Sequence, residues 1–186
     1  MNFTEVVAEV LSIVKRPDKI LDIRREVNAA VNFFSSDTDF NRDVTEVLLA
    51  IDPLVYSQNL TYSSFIGFRK IQFMKRAGTR NYLTELDAKK ITSNACAVDK
   101  YYTAGTGIRI NMSTLAANLD IGYFAFPPLL TDAAGTFWML DIAPFMVIDK
   151  AAGVILRNIG DEASSKTHIG SATAAYLAFR ADQKSP

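Results

Sequence analysis

The side chains able to do chemistry are few in this 186-residue chain, and their spacing is poor for catalysis. His168 is the only histidine and Cys96 the only cysteine. Nucleophilic catalysis needs a serine or cysteine beside a base that is itself oriented by a third group. There is no Gly-x-Ser-x-Gly turn to present a serine. His168, in Lys166-Thr-His-Ile-Gly170, reads as a solvated histidine on a polar helix face. Cys96, in Ser93-Asn-Ala-Cys-Ala-Val98, reads as a thiol buried among small residues. Zinc takes three or four His, Cys or carboxylate ligands, which one His and one Cys do not supply. Asp37 and Asp39 open like a calcium loop, but Arg42 stands at its glycine position and Leu48 at its final glutamate. That cluster reads as a solvated turn. Gly105-Thr-Gly107 lacks the third glycine and the lysine of a phosphate loop, and Ile108 begins a strand where a helix is required. Glu85 and Asp87 leave a carboxylate-dependent hydrolase as an alternative. The expectation is no catalytic residue, no metal and no cofactor.

Charge is equally uninformative about a polyanionic partner. Twenty basic and twenty acidic residues cancel, so no general attraction to nucleic acid or membrane arises. Arg69, Lys70, Lys75, Arg76 and Arg80 interleave with Phe68, Phe73 and Tyr82, a pattern open to a nucleic-acid face. The polar side of a strand and its turn accounts for it better, and Tyr101 and Tyr102 read as sheet packing. The N-terminus lacks the basic start and apolar run of a signal peptide, and no apolar run reaches the roughly 18 residues of a membrane span. An intracellular protein without a membrane segment is expected. The glycosylation-like triplets at Asn2, Asn59 and Asn111 are then chance matches.

Apolar periodicity gives the frame that must position these residues. Phe3, Val6, Val7, Val10, Leu11 and Val14 make an amphipathic helix over 3–15. Pro17 separates it from a second helix over 17–35, carrying Ile20, Ile23, Val27, Ala30, Val31 and Phe34 on one side. Strands are predicted over 43–51, 65–74, around Ile108 to Met112, and over 119–126. The last is apolar on both faces, as a central strand would be. Tyr82 to Ile91 fits either a strand or a short helix. Thr136 is placed to cap a helix, and Pro144 either kinks that helix or starts a new one. Phe145, Ile148, Ala152, Ile155, Leu156 and Ile159 form its apolar face, and Gly160 suits its C-terminal end. A last helix over 162–180 carries Ile169, Ala172, Thr173, Tyr176 and Leu177 on one face. The result is an α+β fold in which an N-terminal helix pair, a central antiparallel β-rich body and two C-terminal helices make one domain. Its parts are helical 1–36, β-rich 41–126, helical 136–180 and a mobile tail at 181–186.

The distal block carries a family pattern. Tyr123-Phe-Ala-Phe-Pro127-Pro128 ends a strand, Trp138 lies in the link that follows, and Asn158-Ile-Gly-Asp161 closes the long helix. In these pieces, and in size and element order, the chain resembles the head-to-tail adaptor proteins of short-tailed bacteriophages, the tail tubular protein A group. The resemblance implies a virion structural protein and not an enzyme. Copies would form a ring, usually of twelve, between the portal protein and the tail nozzle or tube. The ring would extend the channel through which DNA passes without sequence-specific binding. The protein would reside in the virion neck, and in the host cytoplasm during assembly. Another neck or tail-completion subunit is the alternative. Trp138 and Phe145 are the candidate apolar anchors of its contacts, Arg76 and Arg80 a polar rim, and Arg180 a contact beside the tail.

Overall fold

The computed structural model of the protein describes residues 1–52, 54–86, 99–111, 118–133 and 135–182. Cys96, Asp87 and Met112 lie outside the described residues, as does the segment after Asp182. Helices and largely antiparallel strands give an α+β fold. They form two compact units, each with its own apolar core: Met1–Arg42 with Pro127–Pro186, and Asp43–Phe126.

The first unit is helical. Helix α1 spans Phe3–Val14 and starts with a reciprocal cap. The Glu5 N–H donates to the Asn2 side chain and the Asn2 N–H donates to the Glu5 carboxylate, both at 2.9 Å. Two of the helix's orphan donors are thereby satisfied. After a single 3-10 turn at Pro17–Lys19, α2 runs over Ile20–Asp37 and buries Ile23, Val27, Ala30, Val31 and Phe34. At Pro144 a fresh helix starts, not a kinked continuation, and a separate short helix precedes it. Helix α3 (Trp138–Ile142) stops, Ala143 leaves helical geometry, and Pro144 opens α4 (Pro144–Asn158). Proline forces this because it excludes the preceding residue from the helical region. Thr136 does not cap α3; the flanking residue is Phe137, which makes no side-chain cap.

Helix α4 packs against α1, α2, α3 and α5, which explains its nearly all-round apolar surface. Met146, Val147, Ile148, Ala151, Ala152, Ile155 and Leu156 are buried on it. Phe145, expected on that face, instead stands 71% exposed. Gly160 takes φ +90 and lets the Asp161 N–H return to the Leu156 carbonyl at 3.0 Å, closing the helix. Helix α5 spans Glu162–Asp182, two residues into the expected tail. Its buried positions are Ser165, Ala172 and Tyr176, while Thr173 and Leu177 face out. The contact line is therefore rotated from the predicted one. At its centre α5 approaches Gly153 so closely that a Cβ there would lie 2.6 Å from Ile169 Cγ1.

The second unit contains strands β1 (Val44–Ala50), β2 (Ser57–Thr61), β3 (Phe68–Arg76), β4 (Thr84–Glu85), β5 (Lys100–Ala104), β6 (Gly107–Asn111) and β7 (Asn118–Ala125). They make two sheets, ordered β1-β7-β3 and β2-β6-β5-β4. All pairings are antiparallel except the short parallel β4–β5. β7 is central, as its two apolar faces predict, with Leu119, Ile121, Tyr123 and Phe124 buried. Gly105 and Thr106 form the loop of the β5–β6 hairpin, not a phosphate cradle.

Candidate functional site

His168 is only partly exposed and is held by a neighbouring helix. Its Nδ1 lies 2.7 Å from Asp149 Oδ1, and Ser171 Oγ donates to Asp149 Oδ2 at 2.7 Å. Ser, His and Asp thus meet at the α4–α5 contact, but in the wrong order for catalysis. A nucleophile needs the imidazole between hydroxyl and carboxylate. Here the carboxylate sits in the middle, with Ser171 on one of its oxygens and His168 on the other. The cluster joins two helices. Asp37 is likewise occupied: the Tyr176 hydroxyl donates to its carboxylate, and Arg180 Nη1 lies 3.6 Å away. Among the described residues no group of three His, Cys, Asp or Glu could hold a metal ion.

Glu85 lines a cavity of about 290 Å³ in the β-rich unit, with Tyr62, Phe68, Arg69, Lys70 and Thr103. Burial pushes the Tyr101 hydroxyl up to about 12, and the Glu85 charge adds to the shift. Asp87, the second carboxylate of the hydrolase alternative, lies outside the described residues.

The basic stretch is largely engaged within its own unit. Arg69 stacks 5.5 Å from the Phe124 ring centre and lies 3.9 Å from the buried Asp43. Lys70 sits 5.6 Å over Phe124. Lys75 pairs with Asp120 at 3.7 Å and covers Phe73. Arg76 Nη2 bonds Asp99 at 2.5 Å. These are the contacts of a sheet face whose cations rest on aromatic rings.

The five candidate contact residues divide in the same way. Trp138 packs into an aromatic cluster, 5.2 Å from Phe40 and 5.8 Å from Phe179. Arg76 and Arg180 have the acidic neighbours just named. Phe145 and Arg80 are exposed, on α4 and in the turn after β3. The structure does not bring these five together at one place within either unit.

Two surface features were not anticipated from sequence. In the β-rich unit, Leu54 (89% exposed), Val55 and Tyr56 project from the β1–β2 loop. In the helical unit, Phe3, Arg24, Arg25, Asn28 and Leu129–Thr131 line an apolar groove of about 290 Å³, with Leu129 73% exposed on its edge. The available signal was the apolar run Leu54-Val-Tyr56 in a segment too short for a strand and the pair Leu129-Leu130 after two prolines. No protein-family model matches the chain, and no curated protein matches it in sequence. Among the described residues no helix is long and apolar enough to cross a membrane.

Proposed function

We propose that this chain is a structural subunit of a bacteriophage virion, a head-to-tail adaptor whose copies form a ring between the portal and the tail. The observation that carries this reading is the apolar surface of both units. Leu21, Phe33, Leu129 and Phe145 stand exposed on the helical unit, and Leu48, Leu54 and Ile66 on the β-rich unit. Burying one such side chain between subunits contributes about 1.5–3 kcal/mol, so a few at each interface suffice to hold a ring. The Tyr-x-x-x-Pro-Pro strand end, Trp138 and the Ile-Gly-Asp turn support the reading from the sequence side.

The mechanism is geometric. Repeated head-to-tail contacts between identical subunits close into a ring, which lengthens the DNA channel. The helical unit would face the portal and the β-rich unit the tail. A sliding polymer requires weak wall contacts, and cations free to meet phosphate would grip it. The engagement of Arg69, Lys75 and Arg76 by neighbouring carboxylates fits a place for them away from the channel. The test is mass measurement of the purified chain alone and mixed with the portal protein, followed by electron microscopy. A closed ring in either sample is expected. A monomer in both would reject the reading, as would a ring whose lumen is lined by Arg69 to Arg80.

A further inference from the structure

We infer that two copies of this chain pair edge to edge through β1, antiparallel and centred on Val47, in a two-fold dimer. The contact is isologous, so it builds no ring by itself and stands apart from the assembly proposed above.

β1 is an end strand of its sheet, with β7 on one side only. Its seven residues, Val44-Thr-Glu-Val-Leu-Leu-Ala50, pair with β7 in unbroken register. Among the described residues, no hydrogen bond reaches its other side. Alternate N–H and C=O groups of β1 therefore face solvent, a ready template for another strand. Proteins blunt such an edge with a bulge, a proline or a lysine. β1 has none of these. The opposite edge of the sheet is protected. β3 carries two register shifts against β7, and the turn that follows it folds back onto its outer side. There the Leu83 N–H donates to the Met74 carbonyl at 2.8 Å, and the Arg76 N–H donates to the Asn81 carbonyl at 3.3 Å.

The side chains of β1 select a second copy, in one register. Val47 and Leu49 lie half-buried against the core, while Glu46 and Leu48 (59% exposed) point to solvent. An antiparallel pair that keeps both core faces on one side must be centred on a residue, because a one-residue slip turns every side chain over. Centred on Glu46, the pair would oppose that carboxylate to itself. Centred on Leu48, it would leave Val44 and Thr45 without a strand partner. Centred on Val47, all seven residues pair. Val47 then meets its own copy, Leu49 meets Thr45, and Glu46, the only charge in the strand, meets Leu48. Just beyond the strand ends, Arg42 comes opposite Asp52. Both are exposed, and neither has an ion pair among the described residues. The two-fold axis repeats that charge match at both ends. No like charges oppose each other, and Val47 and Leu49 gain cover that a single copy does not give them.

The test uses full-length chains, first without the portal protein. Sedimentation of the wild type at high micromolar concentration should show a reversible dimer. Leu48→Glu sets like charges against Glu46 of the other copy on both sides of the axis, and should weaken the dimer about tenfold. Because Leu48 is exposed, the unfolding midpoint should not move. Adding Glu46→Lys to the same chain should restore the dimer, since the new cation then meets the new carboxylate. Val47→Cys in a Cys96→Ser background should form an interchain disulfide on mild oxidation, because opposed Cα atoms in such a pair lie about 4.5–5.5 Å apart. Thr45→Cys, set opposite Leu49 and far from its own counterpart, should not. A wild type that stays monomeric would overturn the contact. So would a dimer that is indifferent to Leu48→Glu and does not cross-link at position 47. Either result leaves the ring to be judged by its own test. Cross-linking of Val47→Cys to the portal or a tail protein in a mixture, with none between copies, would also overturn the inference. A dimer with the expected properties, in a chain that closes no ring with the portal, would uphold the contact and reject the ring.

Discussion

At the residue scale, stability is set by small polar devices that look incidental in sequence. Asn2 carries half of the α1 cap. Asn2→Ala should cost about 1 kcal/mol, seen as a lower urea midpoint with an unchanged slope. The pairing was visible as Asn2-x-x-Glu5, yet the same asparagine also satisfies a glycosylation triplet. The folded chain shows the capping role, through Asn2 Oδ1. Tyr101 makes a pH-dependent contribution. Its folded value is about 12, raised from 10 by burial first and Glu85 second. Above pH 10 the unfolded chain releases the proton while the folded chain keeps it. Stability therefore falls as pH rises from 10 through about 12. Unfolding midpoints across that window should fall less steeply in Tyr101→Phe than in the wild type; parallel curves would show that Tyr101 titrates normally.

At the scale of elements, the periodic segments were legible and the contacts between them were not. Helix α1, helix α2 and the central strand β7 follow from their apolar spacing. Periodicity could not orient α5, because its buried line of Ser165, Ala172 and Tyr176 is polar or small where it meets Gly153. That close approach is a packing fact that a hydropathy pattern does not contain. Gly153→Leu should destabilise by about 1–3 kcal/mol through overpacking against Ile169, despite leucine's better helix propensity. A thermal melt that shifts upward would contradict the contact. The same rule operates in the sheet, where a Cβ on Gly122 would lie 2.3 Å from the Phe73 ring. His168 was misplaced for a related reason: Asp149 lies nineteen positions away and joins it only once α4 and α5 pack.

At the scale of the whole molecule, two units share one chain, and each leaves large apolar side chains on its surface. A monomer derives nothing from Phe145 at 71% exposure. Phe145→Glu should therefore change unfolding free energy by no more than about 0.5 kcal/mol. If Phe145 is an assembly anchor, the same variant should lower the fraction of chain found in rings by mass measurement. Loss of stability without loss of assembly would place Phe145 in a structural role instead. Trp138 gives the opposite expectation. It packs on Phe40 and Phe179, so Trp138→Ala should destabilise the fold by about 3 kcal/mol or more.

The sequence by itself determined the α+β layout, the helix stop at Gly160 and the break at Pro144, because each depends on local backbone chemistry or apolar spacing within a few residues. Tertiary structure alone decided that terminal segments join into one helical unit, that Arg76 and Arg180 face intrachain carboxylates, and that Leu54 and Leu129 stay in solvent. Those outcomes depend on which distant residues meet, and burial is a property of the packed chain, not of the residue type.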